Sequence, residues 1–127
     1  MIRNVLIVDD AAEDRLLFRS LLTRTTEYTH RFLEAETGSQ ALELCRAETP
    51  DCVLLHYALP DMSGTKFLQS IVAEFGLDKL PIVMLSGGGN EGIDVVVAAL
   101  RIGAHDFLAK GRLRAEDLHR AISNAIE

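Results

Sequence analysis

The segment Val5-Leu6-Ile7-Val8-Asp9-Asp10 decides how the whole chain is read. Four aliphatic residues run without a polar interruption and stop at two acids. An amphipathic helix spaces its apolar residues by three or four, and a strand wet on one face alternates, so a short unbroken run fits a strand covered on both faces. Cys52-Val53-Leu54-Leu55 and Ile82-Val83-Met84-Leu85 repeat the pattern, and Arg31-Phe32-Leu33-Glu34-Ala35 and His105-Asp106-Phe107-Leu108-Ala109 are weaker versions of it. Together they predict five strands.

Helical spacing fills the intervals. Leu16, Leu17, Leu21 and Leu22 follow Asp14; Ala41, Leu42, Leu44 and Cys45 follow Ser39; Phe67, Leu68, Ile71 and Val72 follow Gly64 and Thr65. The stretch from Val95 to Ile102 carries three consecutive valines and reads locally as a strand, but the alternation of elements and the Gly103 behind it favour a helix. A fifth helix is expected from about Leu113 to Ile126, with Leu118, Ala121, Ile122 and Ala125 on one face.

Five strand-helix units with right-handed crossovers put helices on both faces of a parallel sheet, the doubly wound α/β arrangement. The 127 residues suit one domain, 1–127, without linker or repeat. A chain of this length buries roughly two-thirds of its unfolded surface. Apolar residues make up 48% and charged residues 25%, the balance of a globular protein. Thirteen basic against 19 acidic side chains give a net charge of −6, so no direct nucleic-acid binding is expected. The N-terminal residues do not read as a signal peptide, and no apolar run approaches the roughly 20 residues that span a bilayer. The expectation is a soluble, cytoplasmic domain with no membrane contact, its Cys45 and Cys52 reduced and buried.

In doubly wound sheets ligands gather beyond the carboxyl ends of the strands, which gives the residues there special weight. They are Asp9 and Asp10 after the first strand, His56 after the third, Ser86 after the fourth and Lys110 after the fifth. Paired acids suit a hard cation such as Mg²⁺, although acids at a helix start also serve the helix dipole. An isolated Ser86 opens a glycine loop more often than it does chemistry, and a lone lysine is usually a surface residue. Their joint occurrence at one end of the sheet is what favours a site. Ser86-Gly87-Gly88-Gly89-Asn90-Glu91-Gly92 lacks the lysine of a phosphate-binding loop, so it is not read as a nucleotide site.

With these residues in view, the chain resembles the receiver domains of two-component response regulators over essentially its whole length. The resemblance rests on Val5-Leu6-Ile7-Val8-Asp9-Asp10, Pro50-Asp51-Cys52-Val53-Leu54-Leu55, Leu59-Pro60-Asp61-Met62-Ser63-Gly64, Pro81-Ile82-Val83-Met84-Leu85-Ser86 and Gly103-Ala104-His105-Asp106-Phe107-Leu108-Ala109-Lys110. It implies a flavodoxin-like (βα)5 fold with strand order 2-1-3-4-5. It also implies that Asp9 and Asp10 hold Mg²⁺, that the Ser86 hydroxyl follows the phosphate, that Phe107 reports it by rotating, and that Lys110 pairs with it. The phosphoacceptor position departs from the family: His56 stands where an aspartate is expected. Gly111 also replaces a frequent proline, and the Gly87-Gly88-Gly89 loop is expected to be mobile.

Histidine cannot form an acyl phosphate, and it replaces an oxygen ligand of the metal with a nitrogen that Mg²⁺ disfavours. Asp9, Asp10 and Lys110 sum to −1, so a protonated His56 would neutralise the pocket without any metal. Unit charges 4 Å apart attract by about 4 kcal/mol at an effective dielectric of 20, and on that ground the two acids are expected to hold the ring as their counter-ion. Mg²⁺ binding is then weak at most and no cofactor is required.

The leading expectation is a pseudo-receiver, not an enzyme, that works through protein contacts instead of aspartyl phosphorylation. The alternatives are a conventional receiver inactivated by loss of its acceptor, a receiver phosphorylated on His56 itself, and a small metallohydrolase using Asp9, Asp10 and His56 around a transition metal. Expected partners are a histidine kinase, an output domain or another receiver. The resemblance also points to dimerisation through helix four, strand five and helix five, a face carrying Val97, Arg101, Asp106, Arg112, Arg114, Glu116, Asp117 and Arg120. An ordinary solvated face has the same mixture of signs.

Overall fold

Each unbroken apolar run is a strand of one parallel sheet. In the computed structural model, which describes residues 2–24, 27–76, 79–86 and 92–127, the strands are β1 (Ile2–Val8), β2 (Thr29–Ala35), β3 (Cys52–His56), β4 (Ile82–Ser86) and β5 (Asp106–Ala109). They lie in the order β2-β1-β3-β4-β5, all parallel. Between and after them run α1 (Ala12–Leu22), α2 (Gly38–Glu48), α3 (Gly64–Phe75), α4 (Ile93–Ile102) and α5 (Ala115–Ile126). This is the flavodoxin-like doubly wound fold expected from the sequence. The chain crosses from one side of β1 to the other between β2 and β3, which makes the gap beside the carboxyl ends of β1 and β3 the place for a ligand.

The pleat sorts the apolar runs into two cores. Leu6, Val8, Val53, Leu55, Ile82 and Met84 face α2, α3 and α4, where Ala41, Cys45, Phe67, Leu68, Ile71 and Ala99 meet them. Val5, Ile7, Leu54, Val83 and Leu85 face α1 and α5, packed by Phe18, Leu21, Leu22, Leu118, Ala121 and Ile122. Cys45 and Cys52 are free, buried and on opposite faces of the sheet. Burial pushes both thiols up to about 12, so they are protonated at neutral pH.

Helix boundaries follow from local chemistry. The Thr37 hydroxyl accepts from the Gln40 amide at 3.1 Å, and the Ser63 hydroxyl accepts from the Lys66 amide at 3.1 Å. The α4 segment is a helix despite its valines, and it ends at Gly103, whose φ of 145° lies outside the range other residues readily adopt.

Two details differ from the sequence reading. On α1 the buried face is Phe18, Leu21 and Leu22, while Leu16 and Leu17 are exposed. The last helix starts at Ala115, preceded by a 3₁₀ turn over Lys110–Arg112. The Gly87-Gly88-Gly89 segment lies outside the described residues, and no helix among the described residues is long and apolar enough to cross a membrane.

Candidate functional site

The site begins where β1 stops. The Asp9 amide donates to the Ala35 carbonyl at 3.0 Å, extending the β1–β2 ladder by one step and fixing the backbone from which the side chain projects. One carboxylate oxygen of Asp9 accepts from the Ala11 amide at 3.0 Å. Its carbonyl accepts from Arg15 at 2.7 Å, and Arg15 is itself held by Glu34 on β2 at 2.8 Å. The Asp9 side chain is fully buried, whereas Asp10, one residue on, is exposed at the mouth of the gap.

Lys110 enters from the end of β5. Its ammonium donates to the second carboxylate oxygen of Asp9 and, at 2.9 Å, to Asp14 on the first turn of α1. Only 9% of the lysine side chain is exposed, and its ammonium lies 5.7 Å from the centre of the Phe18 ring. A buried carboxylate needs a partner, and Lys110 supplies it. Asp14 was read from sequence as a helix-start acid. Its position one turn after the acid pair was the available signal, but only the fold shows that the lysine bridges two acids.

His56 ends β3, opposite Leu85 of β4. Its Nδ1 is 4.0 Å from Asp9 Oδ2, fully buried, and without a hydrogen-bond partner. His56 thus stands at ion-pair distance from Asp9 Oδ2, while Lys110 makes the direct hydrogen bond to the same oxygen. The charge count changes as well. With Asp14 included, the three carboxylates and Lys110 carry −2 before His56 is counted.

Ser86 ends β4, buried to 3% exposure and opposite Ala109. Phe107 lies opposite Met84 on β5, half-buried, with its ring 6.5 Å from that of Tyr57. Tyr57 directly follows His56; its amide donates to the Leu85 carbonyl and its carbonyl accepts from the Gly64 amide. This aromatic contact was not foreseen. The expected residues thus converge at one end of the sheet, with Asp9, Lys110 and Asp14 in direct contact and Asp9, Asp10 and His56 clustered.

A second feature of this end is Asp61, in the loop between β3 and α3. Its carboxylate accepts from the amides of Gly38 and Ser39 at 2.8 and 3.0 Å, tying that loop to the start of α2. Those hydrogen bonds hold its carboxyl below the usual carboxylate range. Sequence placed Asp61 in a motif but gave it no role.

The donor set matches Mg²⁺ poorly. Among the described residues, Asp9, Asp10 and His56 form the single group of three with metal-ligating atoms, all within 4.8 Å of one another. One of the three donors is a nitrogen, and a hard cation that favours oxygen gains little from it.

On the far side of β5, the residues named for a docking face divide. Arg114 and Arg120 pair with Asp117 of their own helix at 3.2 and 2.7 Å, and Arg114 also reaches Glu116 at 3.3 Å. Val97, Arg101 and Arg112 are exposed, and Asp106, Arg112, Asp117 and Arg120 line a groove of about 220 Å³ with β5.

Comparison with known proteins agrees with this architecture. The chain is 25% identical to the response regulator domain of CheB from Thermotoga maritima, covering 99% of this chain and 97% of that one with a TM-score of 0.84. It is 31% identical to the receiver domain of NtrX from Brucella abortus, covering 96% and 97% with a TM-score of 0.82. Among curated proteins it is 36% identical over 113 residues to a protein-glutamate methylesterase/protein-glutamine glutaminase of Bacillus licheniformis. That match covers 87% of this chain and 29% of the relative, so the chain spans less than a third of that relative's length. Residues 5–123 match the response regulator receiver domain, and the strand order agrees with the fold of the solved receiver domains: the chain belongs to the response regulator receiver domain family of two-component signalling.

Proposed function

We propose that this receiver domain transmits its signal through protein contacts and does not take phosphate on the side chain at position 56. The observation that carries the reading is His56 at the carboxyl end of β3, beside Asp9, where the family's chemistry calls for a carboxylate nucleophile. An imidazole there cannot form the acyl phosphate, however well Asp9, Ser86 and Lys110 are placed. The rest of the domain supplies docking surface, not catalysis. The partner is a histidine kinase, another receiver or an output domain, and a methylesterase domain is one such output, by analogy with the curated relatives. The exposed side chains of α4, β5 and α5 are the proposed contact face and the route to a homodimer. Its charges are partly satisfied within α5, so contact there rests on shape and on Val97, which is 38% exposed, more than on free charge.

Incubation with acetyl phosphate and Mg²⁺, followed by intact mass measurement, tests the reading. The expected result is an unchanged mass; the gain of one phosphoryl group would contradict it.

A further inference from the structure

At the amino ends of β1 and β2, the other end of the sheet from Asp9, a second cluster of titratable side chains gathers. Arg3 and His30 are register partners in the β1–β2 pair. Both project to the face that α1 and α5 cover, because Val5 and Phe32, two residues further along each strand, pack into that core. The Arg3 guanidinium donates to the Ser123 hydroxyl of α5 at 3.0 Å and lies over the Tyr28 ring, 3.5 Å from its centre. The same ring stands 6.0 Å from that of His119, one turn before Ser123 on α5. Arg3, buried at 6% exposure, thus ties α5 to the sheet through one hydroxyl and one aromatic face.

His30 sits against this clasp with positive neighbours. Its ring stacks on that of Phe32 at 5.8 Å, and its Nε2 is buried with no hydrogen-bond partner among the described residues. Burial first, then the charges of Arg3 and His119, hold the ring below the ordinary histidine value. The carboxylates nearby are engaged elsewhere. Glu27 stands 3.1 Å from Nε2 of His119, and Arg24 and Glu116 share the groove beside that ring. On the α1 side, Arg19 lies over Phe32 at 5.4 Å, and Glu34 is held by Arg15 and Arg19.

We propose that His30 is an acid sensor for this clasp: protonating its ring sets a second cation beside Arg3, drives the guanidinium away from Tyr28 and Ser123, and loosens α5 from β1 and β2. The sign follows from the neighbours. The ring holds its proton less tightly in the fold than in the unfolded chain, so its contribution is fully present above about pH 6.5 and is lost as pH falls through the folded value. His119 does not share this direction, since a charge gained there meets Glu27. The cluster has no residue in common with the Asp9 site, so this device is independent of the chemistry at position 56.

NMR titration of the histidine rings, with amide hydrogen exchange, tests it. In the unmodified chain the His30 ring should titrate below about pH 6.5, and the Arg3 side-chain and Tyr28 ring signals should shift with the same midpoint. Protection of the α5 amides, corrected for the intrinsic exchange rate, should fall several-fold from about pH 7.5 to about pH 5.5. His30→Phe, which keeps a ring to stack on Phe32, should abolish most of that fall. A His30 ring that titrates at or above about pH 6.5, α5 protection that is the same at both pH values, or an equal fall in a folded His30→Phe chain would each overturn the proposal. Should that variant not fold, the titration and exchange of the unmodified chain decide alone.

Discussion

His56 and Asp9 sit 4.0 Å apart at the end of two adjacent strands, yet the buried acid is paired by a lysine from a third strand end, more than a hundred residues away in sequence. Which residues meet was legible from their positions after apolar runs; which of them pair was not, because pairing depends on side-chain reach across the sheet. Asp14 shows the difference, since nothing in its local sequence separates a helix-start acid from a ligand of Lys110. Removing that ammonium leaves Asp9 buried and uncompensated. Lys110→Met should therefore lower stability by roughly 3–5 kcal/mol in urea melts, and adding Asp9→Asn should recover much of the loss. Asp61 makes a separate prediction with a pH signature. Its folded pKa lies below its unfolded value, so its contribution is fully present above about pH 4 and is lost as pH falls through the folded value. Asp61→Ala should cost about 1 kcal/mol at neutral pH, by analogy with other helix-start acceptors, and the gap from the unmodified chain should shrink in melts at low pH.

Periodicity located the strands and all the α-helices but α4, and was least informative about phase. In Leu16-Leu17-Phe18 three consecutive apolar residues sweep most of a helix's circumference, so the sequence could not say which side faces the sheet; Phe18 does, and Leu16 and Leu17 look outward. The valines of α4 pull locally toward a strand, yet the segment is the helix expected from the alternation of elements and Gly103, with only Ala99 of it buried. β1 is longer than its aliphatic run because Arg3 is buried at its start and donates to Ser123 of α5 at 3.0 Å, a contact that hydrophobicity cannot reveal. The start of α3 is fixed by close approach: a Cβ on Gly64 would stand 3.0 Å from the Tyr57 Cα and 3.1 Å from its carbonyl oxygen. Gly64→Ala should thus destabilise by about 1–3 kcal/mol, since the obstacle is backbone. At Gly38 the obstacle is the Met62 side chain, whose flexible end can swing aside. Gly38→Ala should cost clearly less, and thermal melts of the two variants side by side check the order.

Across the whole molecule, the two cores hold five strand ends in register, and the site is a property of that register more than of any one loop. The fold was readable because each strand is a short unbroken apolar run and each crossover is a helix. The departure at position 56 was readable only because the surrounding motifs are intact. An altered residue on an unaltered scaffold has a sharp consequence: restoring the carboxylate should restore the chemistry, because Asp9, Asp10, Ser86 and Lys110 already occupy the ends of the other strands. The measurement that tests this most directly is intact mass of the His56→Asp variant after incubation with acetyl phosphate and Mg²⁺, followed by hydroxylamine. The account predicts a gain of one phosphoryl group that hydroxylamine removes, as an acyl phosphate requires; a folded His56→Asp variant that stays unmodified would contradict it.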